Sequence, residues 1–108
     1  MLFRSDAVLQ ISGGPNRPPL PESSSAGLFS RASTIAASLG LAPLTSASVG
    51  GASDGNFTAG VGTPTLDGLG AVGGGAHADH EHVLVDALPG RAALLAALVN
   101  ELLAEGKA

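Results

Sequence analysis

The chain has no cysteine, tryptophan or tyrosine, and only three phenylalanines in 108 residues. Without cysteine there is no disulfide framework, no thiolate nucleophile and no cysteine-based zinc site. A reducing compartment suits such a chain, and the expected location is cytoplasmic. The shortage of aromatics thins any core: hydrophobic residues make up 44% of the chain, but many are alanines, each of which buries little apolar area. Charge is sparse as well. Charged residues are 13% of the total and the formal net charge is -4, with no basic cluster that could neutralise a row of phosphates, so nucleic acid is not an expected partner. A membrane is not expected either. The opening MLFRSDAVLQISGG carries Arg4 and Asp6 among its apolar residues, and no segment reads as a run of roughly 18 apolar residues. A chain of this length holds one small domain, burying roughly 65% of the surface its unfolded form exposes.

Glycine is what the sequence has in quantity, 16 residues, and it punctuates an alternation of short elements. Leu2, Val8, Leu9 and Ile11 lie in a β-leaning segment stopped by Gly13-Gly14-Pro15, so residues 1–12 are predicted as a strand. NRPPLPESSS at 16–25 reads as an extended connection, with Ser24 or Ser25 placed to cap the next element. Leu28, Ala32, Ile35, Ala36 and Leu39 recur at helical spacing, which predicts a helix over about 26–39, closed by Gly40 in a left-handed conformation. Residues 44–49 alternate weakly and predict a strand, followed by a tight turn and a short helix before Thr63-Pro64. A short buried strand at about 64–67 and a long irregular loop from 68 through the histidine tract complete the middle. Asp86 is placed to cap a last helix with an apolar stripe of Leu94, Leu95, Leu98, Leu102 and Leu103, ended by Gly106. This order of strand, helix, strand, helix, strand, helix predicts an α/β layer.

Three motifs compete for the chemistry. Gly68-Leu69-Gly70-Ala71-Val72-Gly73 spells a dinucleotide fingerprint, but that motif needs a helix opening at its third glycine, and here more glycines and a polar tract come next. Gly51-Ala52-Ser53-Asp54-Gly55 spells a nucleophile elbow, and a Ser53…Asp67…His77 order would fit a serine hydrolase; equally, Ser53 or Asp54 would simply cap the short helix. All three histidines fall in GGGAHADHEHV, residues 73–83. His77, His80 and His82, with Asp79 and Glu81, could gather one metal locally as a small metal-binding module. Alternatively His77 alone is a ligand with partners elsewhere, or the tract is a solvated loop. The residues by themselves leave these readings open.

Taken together, Gly50-Gly51-Ala52-Ser53-Asp54-Gly55-Asn56-Phe57, then Gly62 to Gly70 (GTPTLDGLG), then Gly75-Ala76-His77 with Glu81 and Val83, resemble the C-terminal part of the glutamate carboxypeptidase family. This is the M-twenty family of zinc metallopeptidases, whose relatives include carboxypeptidase G, acetylornithine deacetylase and succinyl-diaminopimelate desuccinylase. Asn16-Arg17-Pro18-Pro19 resembles the return from the family's inserted lid domain, and Arg91 to Leu103 its last helix.

The resemblance implies an α/β fold: the C-terminal fragment of a two-zinc exopeptidase-like catalytic domain, with the last strand of the lid domain at its N-terminus. Residues 1–15 would be the lid tail, 16–22 a linker and 23–108 the closing part of the catalytic domain. It implies a metallopeptidase or amidohydrolase parent of carboxypeptidase type, acting on a small amide or peptide with a free carboxylate, and a homodimer for the full-length parent. Its cofactor would be two zinc ions, with cobalt or manganese as substitutes. His77 maps onto the family's final metal ligand, and Asp79, His80 and His82 fall back to loop residues. Glu81 takes a loop-fixing role. Ser53, Asp54 and Gly55 become substrate contacts at the start of a helix whose free N–H groups would face a carboxylate, and Arg17 is a further contact of that kind. No catalytic residue is assigned, because the family's general base and its other ligands lie on earlier segments. The chain alone is therefore expected to be inactive and marginally stable.

Overall fold

The structure, a computed structural model, describes residues 5–106. Three helices dominate: α1 (Glu22–Ser38), the short α2 (Gly55–Gly60) and α3 (Leu88–Gly106). Two strands of two residues each, β1 (Gly73–Gly74) and β2 (His82–Val83), pair antiparallel. A 3₁₀ turn over Val85–Ala87 leads directly into α3.

Helix α1 begins four residues before its predicted start. Pro21 stands at the N-cap position with an extended ψ of 151°, its φ already set by the ring, and its carbonyl accepts the Ser24 N–H at 3.0 Å. Ser24 and Ser25 therefore do not cap the helix. They fasten it sideways: Thr65 N–H donates to the Ser24 carbonyl at 2.9 Å, and Ser25 Oγ donates to the Thr65 carbonyl at 2.8 Å. The other end forms as predicted. Gly40 has φ +72°, with Gly40 N–H on the Ala37 carbonyl at 3.1 Å and Leu41 N–H on the Ala36 carbonyl at 2.9 Å, the paired bonds of a Schellman ending.

The core is the seam between α1 and α3. Ala32, Ile35 and Ala36 on one side meet Leu94 and Leu98 on the other, and Leu41, Leu44, Leu66, Leu69, Ala97 and Leu102 pack around them. The two alanines are fully buried, and their small side chains let the helices approach closely. At the rim, Arg31 grips Glu105 with both ends of its guanidinium, at 2.5 and 2.7 Å, and lies 3.8 Å from Glu101. The predicted leucine stripe of α3 splits: Leu94 and Leu98 are buried, whereas Leu95 and Leu103 are 46% and 61% exposed. Asp86 sits inside the 3₁₀ turn rather than capping α3. Val85–Ala87 and α3 together are long and apolar enough to cross a membrane, with mean hydropathy 1.4, which corrects the expectation that no segment approaches that length. Alanine and leucine carry the value, and the same composition suits a helix whose second face awaits cover.

The predicted strands do not form. Residues 7–12, 44–49 and 64–67 carry no strand ladder, and residues 1–4 of the first strand lie outside the described residues. The reason is physical: a strand satisfies its backbone only through a neighbour, and the described chain brings none of these segments side by side. Val8 and Ile11 are 93% and 84% exposed as a result. The α/β layer is thus reduced to helices and one two-stranded ladder. The radius of gyration is 18.8 Å, where a compact domain of this length has about 13 Å. Accessible surface is 8420 Å², against about 5,400 Å² for a compact monomer of this mass.

Candidate functional site

The Gly-Ser-Asp turn and the Asn-Arg-Pro-Pro segment meet at the start of α2. Asp54 stands at the N-cap position without a side-chain cap, and Ser53 before it ties the turn to the helix: its Oγ accepts the Gly55 N–H at 3.1 Å, while Asn56 Oδ1 accepts the Ser53 N–H at 3.0 Å. Asn56, the one buried polar residue among those described, also donates through Nδ2 to the Pro18 carbonyl at 2.9 Å. Pro18 lies so close to α2 that a side chain at Gly60 would meet its Cγ at 2.6 Å. Arg17 is placed by this docking. Its Nη1 donates to the Ser53 carbonyl at 2.9 Å, its Nε to Asn16 Oδ1 at 2.9 Å, and its guanidinium lies 4.2 Å from the centre of the Phe57 ring, a cation–π stack.

Asp67 reaches the same place from the other side. Its Oδ2 accepts the Ser53 hydroxyl at 2.7 Å and its Oδ1 accepts the Gly68 N–H at 2.8 Å. These bonds, the Ser53 hydroxyl first, hold the Asp67 carboxyl below its ordinary value. Ser53 and Asp67 are therefore in direct contact with no histidine between them, so the Ser53…Asp67…His77 order does not assemble as a relay in which a base takes the serine proton.

Four of the five site residues read from the sequence thus occupy one neighbourhood: Arg17, Ser53, Asp54 and Gly55. Asp54 is exposed, and its carbonyl accepts the Phe57 and Thr58 N–H groups. The free helix N–H groups expected here are largely used internally, by Ser53 for Gly55 and Asn56 and by Asp54 for Phe57. Arg17, half-buried, makes no hydrogen bond through Nη2 among the described residues. Asn56 joins this neighbourhood without having been expected there, and Asp67, weighed with Ser53 only as part of a serine-hydrolase order, joins it as a direct partner of Ser53. The placement of Asn56 three residues after Ser53, within reach of its N–H, is a readable signal for the first; nothing local marks the second.

His77 belongs to a separate piece, a hairpin closed by the β1–β2 ladder and by Leu84 N–H on the Val72 carbonyl at 2.7 Å. At its tip Ala78 N–H bonds the Gly75 carbonyl at 2.8 Å, and His77, third in that turn, has φ 65°, a left-handed conformation that few non-glycine residues adopt. The glycines are there for closeness as much as for bending: a Cβ at Gly73 would fall on the His82 carbonyl, and one at Gly75 would meet the His80 ring at 2.7 Å. His82 turns its Nδ1 to the His80 carbonyl at 2.9 Å. His77 is exposed, and neither of its ring nitrogens is engaged among the described residues.

A family profile described as peptidase family M20/M25/M40 matches residues 8–101. The chain belongs to this family. No curated protein and no solved structure matches it. Membership points to a peptidase- or hydrolase-type function, and peptidases of this family generally use metal ions, typically zinc. Among the described residues no group of three or more histidine, cysteine or acidic side chains is arranged to hold a metal, so the histidine tract does not form a local site. The His77 imidazole is exposed, as are those of His80 and His82.

Proposed function

We propose that this chain is the C-terminal portion of a zinc-dependent metallopeptidase or amidohydrolase that cleaves an amide bond beside a carboxylate-bearing amino acid, and that it is inactive alone. Residues 1–15 are the tail of a lid domain, 16–22 a linker and 23–108 the closing part of the catalytic domain; the full-length parent is a cytoplasmic homodimer. The observation that carries this reading is His77, a family-motif histidine held in a left-handed turn on a glycine hairpin with both ring nitrogens unengaged.

When bound, the metal pair supplies a polarised scissile carbonyl and an activated water. The part played by this chain is positional. His77, as a neutral imidazole, offers one nitrogen as a ligand. Arg17, braced by Phe57 and the Ser53 carbonyl, offers its Nη2 to a substrate carboxylate, a charge-assisted contact. Ser53, Asp54 and Gly55 shape the turn beneath that contact. The general base belongs to segments this chain does not contain.

The test joins this chain to the metal-bearing segments of a family member and measures zinc-dependent hydrolysis of N-acyl amino acids. The reading expects activity that a chelator removes and that His77→Ala abolishes, with Arg17→Ala raising KM. Full activity in His77→Ala, or hydrolysis by the isolated chain through Ser53, would contradict it.

A further inference from the structure

Every hydrogen-bonding group of Ser53 is in use. The N–H donates to Asn56, the carbonyl accepts from Arg17, and Oγ both accepts from Gly55 and donates to Asp67. A serine hydroxyl has one proton, and the direction in which it points decides which lone pairs remain for others. An ionised carboxylate only accepts, so Asp67 compels the Ser53 hydrogen to point at it and leaves an Oγ lone pair for the Gly55 N–H. The carboxylate is itself steadied, because its second oxygen takes the Gly68 N–H at 2.8 Å. Asp67 is 14 residues from Ser53, in the segment that runs on to the His77 hairpin.

We propose that Asp67 is a positioning residue: by orienting the Ser53 hydroxyl it fixes the start of α2 and, through the Ser53 carbonyl, the Arg17 guanidinium. Its functional consequence rests on the reading of Arg17 as a carboxylate contact; the relay itself does not. An asparagine at 67 has a single acceptor oxygen, which can serve Ser53 or Gly68 but presents an amide NH₂ to the other. A glutamate keeps both oxygens and the charge but adds one methylene. A residue that merely closed its own turn would matter to Gly68 alone.

That difference is measurable by NMR on the full 108-residue chain, comparing wild type, Asp67→Asn, Asp67→Glu and Ser53→Ala at a temperature where circular dichroism gives equal helix content. The relay predicts that Asp67→Asn moves the Gly68 amide, the Gly55 amide and the Arg17 guanidinium signals, the Cζ of which lies 4.2 Å from the Phe57 ring centre, and that Asp67→Glu returns the last two toward wild type. Ser53→Ala should reproduce the Gly55 and Arg17 changes while leaving Gly68 near its wild-type position, and it carries the comparison alone if Asp67→Asn loses helix. Changes confined to Gly68, or a wild type whose Gly55 and Arg17 signals already sit at unfolded positions, would overturn the proposal. Adding glutarate separates the two layers. An Arg17 side chain that responds in wild type and less in Asp67→Asn supports both, whereas a responding relay with an Arg17 indifferent to glutarate keeps the positioning role and removes the carboxylate reading.

Discussion

The α1–α3 pair and the segments that surround it draw on the same alanine, glycine and leucine-rich composition, yet they end in different conditions. In the pair, each backbone bond is made within four residues along the helix, and the apolar residues of the two facing sides find one another: Leu94 and Leu98 fall to 1% and 4% exposure against Ala32 and Ala36. In the surrounding segments the bonds would have to come from neighbouring strands, and Val8, Ile11 and Val49 stay more than four-fifths exposed. A helix makes its hydrogen bonds locally, whereas a strand needs a neighbour. The site residues form without a sheet as well: side-chain bonds from Arg17, Asn56 and Asp67 gather the Ser53 cluster across 14 to 38 residues of chain, and the His77 hairpin is closed by its own ladder.

The contrast can be broken most severely at the seam. Leu98→Ala should destabilise the chain by roughly 2–5 kcal/mol, which for a chain with this much exposed surface amounts to unfolding in a thermal melt. Leu95→Ala, at the edge of the same seam and 46% exposed, should cost far less and stay within about 0.5 kcal/mol of wild type. Equal effects would mean that Leu95 is covered as fully as Leu98. Next in size is Gly40→Ala, which puts a side chain at φ +72° and should cost about 1 kcal/mol by urea denaturation, with loss of the last turn of α1. A smaller effect attaches to acid. The Asp67 carboxyl is held low by the Ser53 hydroxyl and the Gly68 N–H, so its contribution is fully present above its unfolded value and is lost as pH falls through the lowered folded value. Melts of wild type and Asp67→Asn should therefore differ at neutral pH and converge in strong acid. The smallest belongs to Arg31→Ala: Glu105, lowered by the same pairing, is at the surface, and the change should be near the limit of detection and should vanish in high salt.

Helix positions are legible from spacing and punctuation, as the agreement at Gly40 shows: a residue without Cβ is needed where the chain turns left-handed. The start of α1 is not, because Ser24 and Ser25 both read as caps and the contact with Thr65 that employs them instead lies outside any local window. The three predicted strands rest on β-leaning residues, a weak alternation at 44–49 and turn punctuation, which describe what a strand would look like and not whether a partner exists. At the site, the ordered motifs from Gly50 to Val83 point to the family and to His77, and the tie of Ser53 to the helix can be read from its neighbours. The partnership of Ser53 with Asp67 is legible only as part of a histidine relay. It is a two-member contact because the His77 hairpin closes on itself and makes no hydrogen bond with either residue among those described.

The central claim is that this chain brings one metal ligand to a site completed elsewhere. A zinc titration of the 108-residue chain, tracking the ring signals of His77, His80 and His82 by NMR, tests it most directly. The account predicts weak binding that His80→Ala and His82→Ala leave unchanged; tight stoichiometric binding abolished by those two substitutions would contradict it and restore the histidine tract as a metal site of its own.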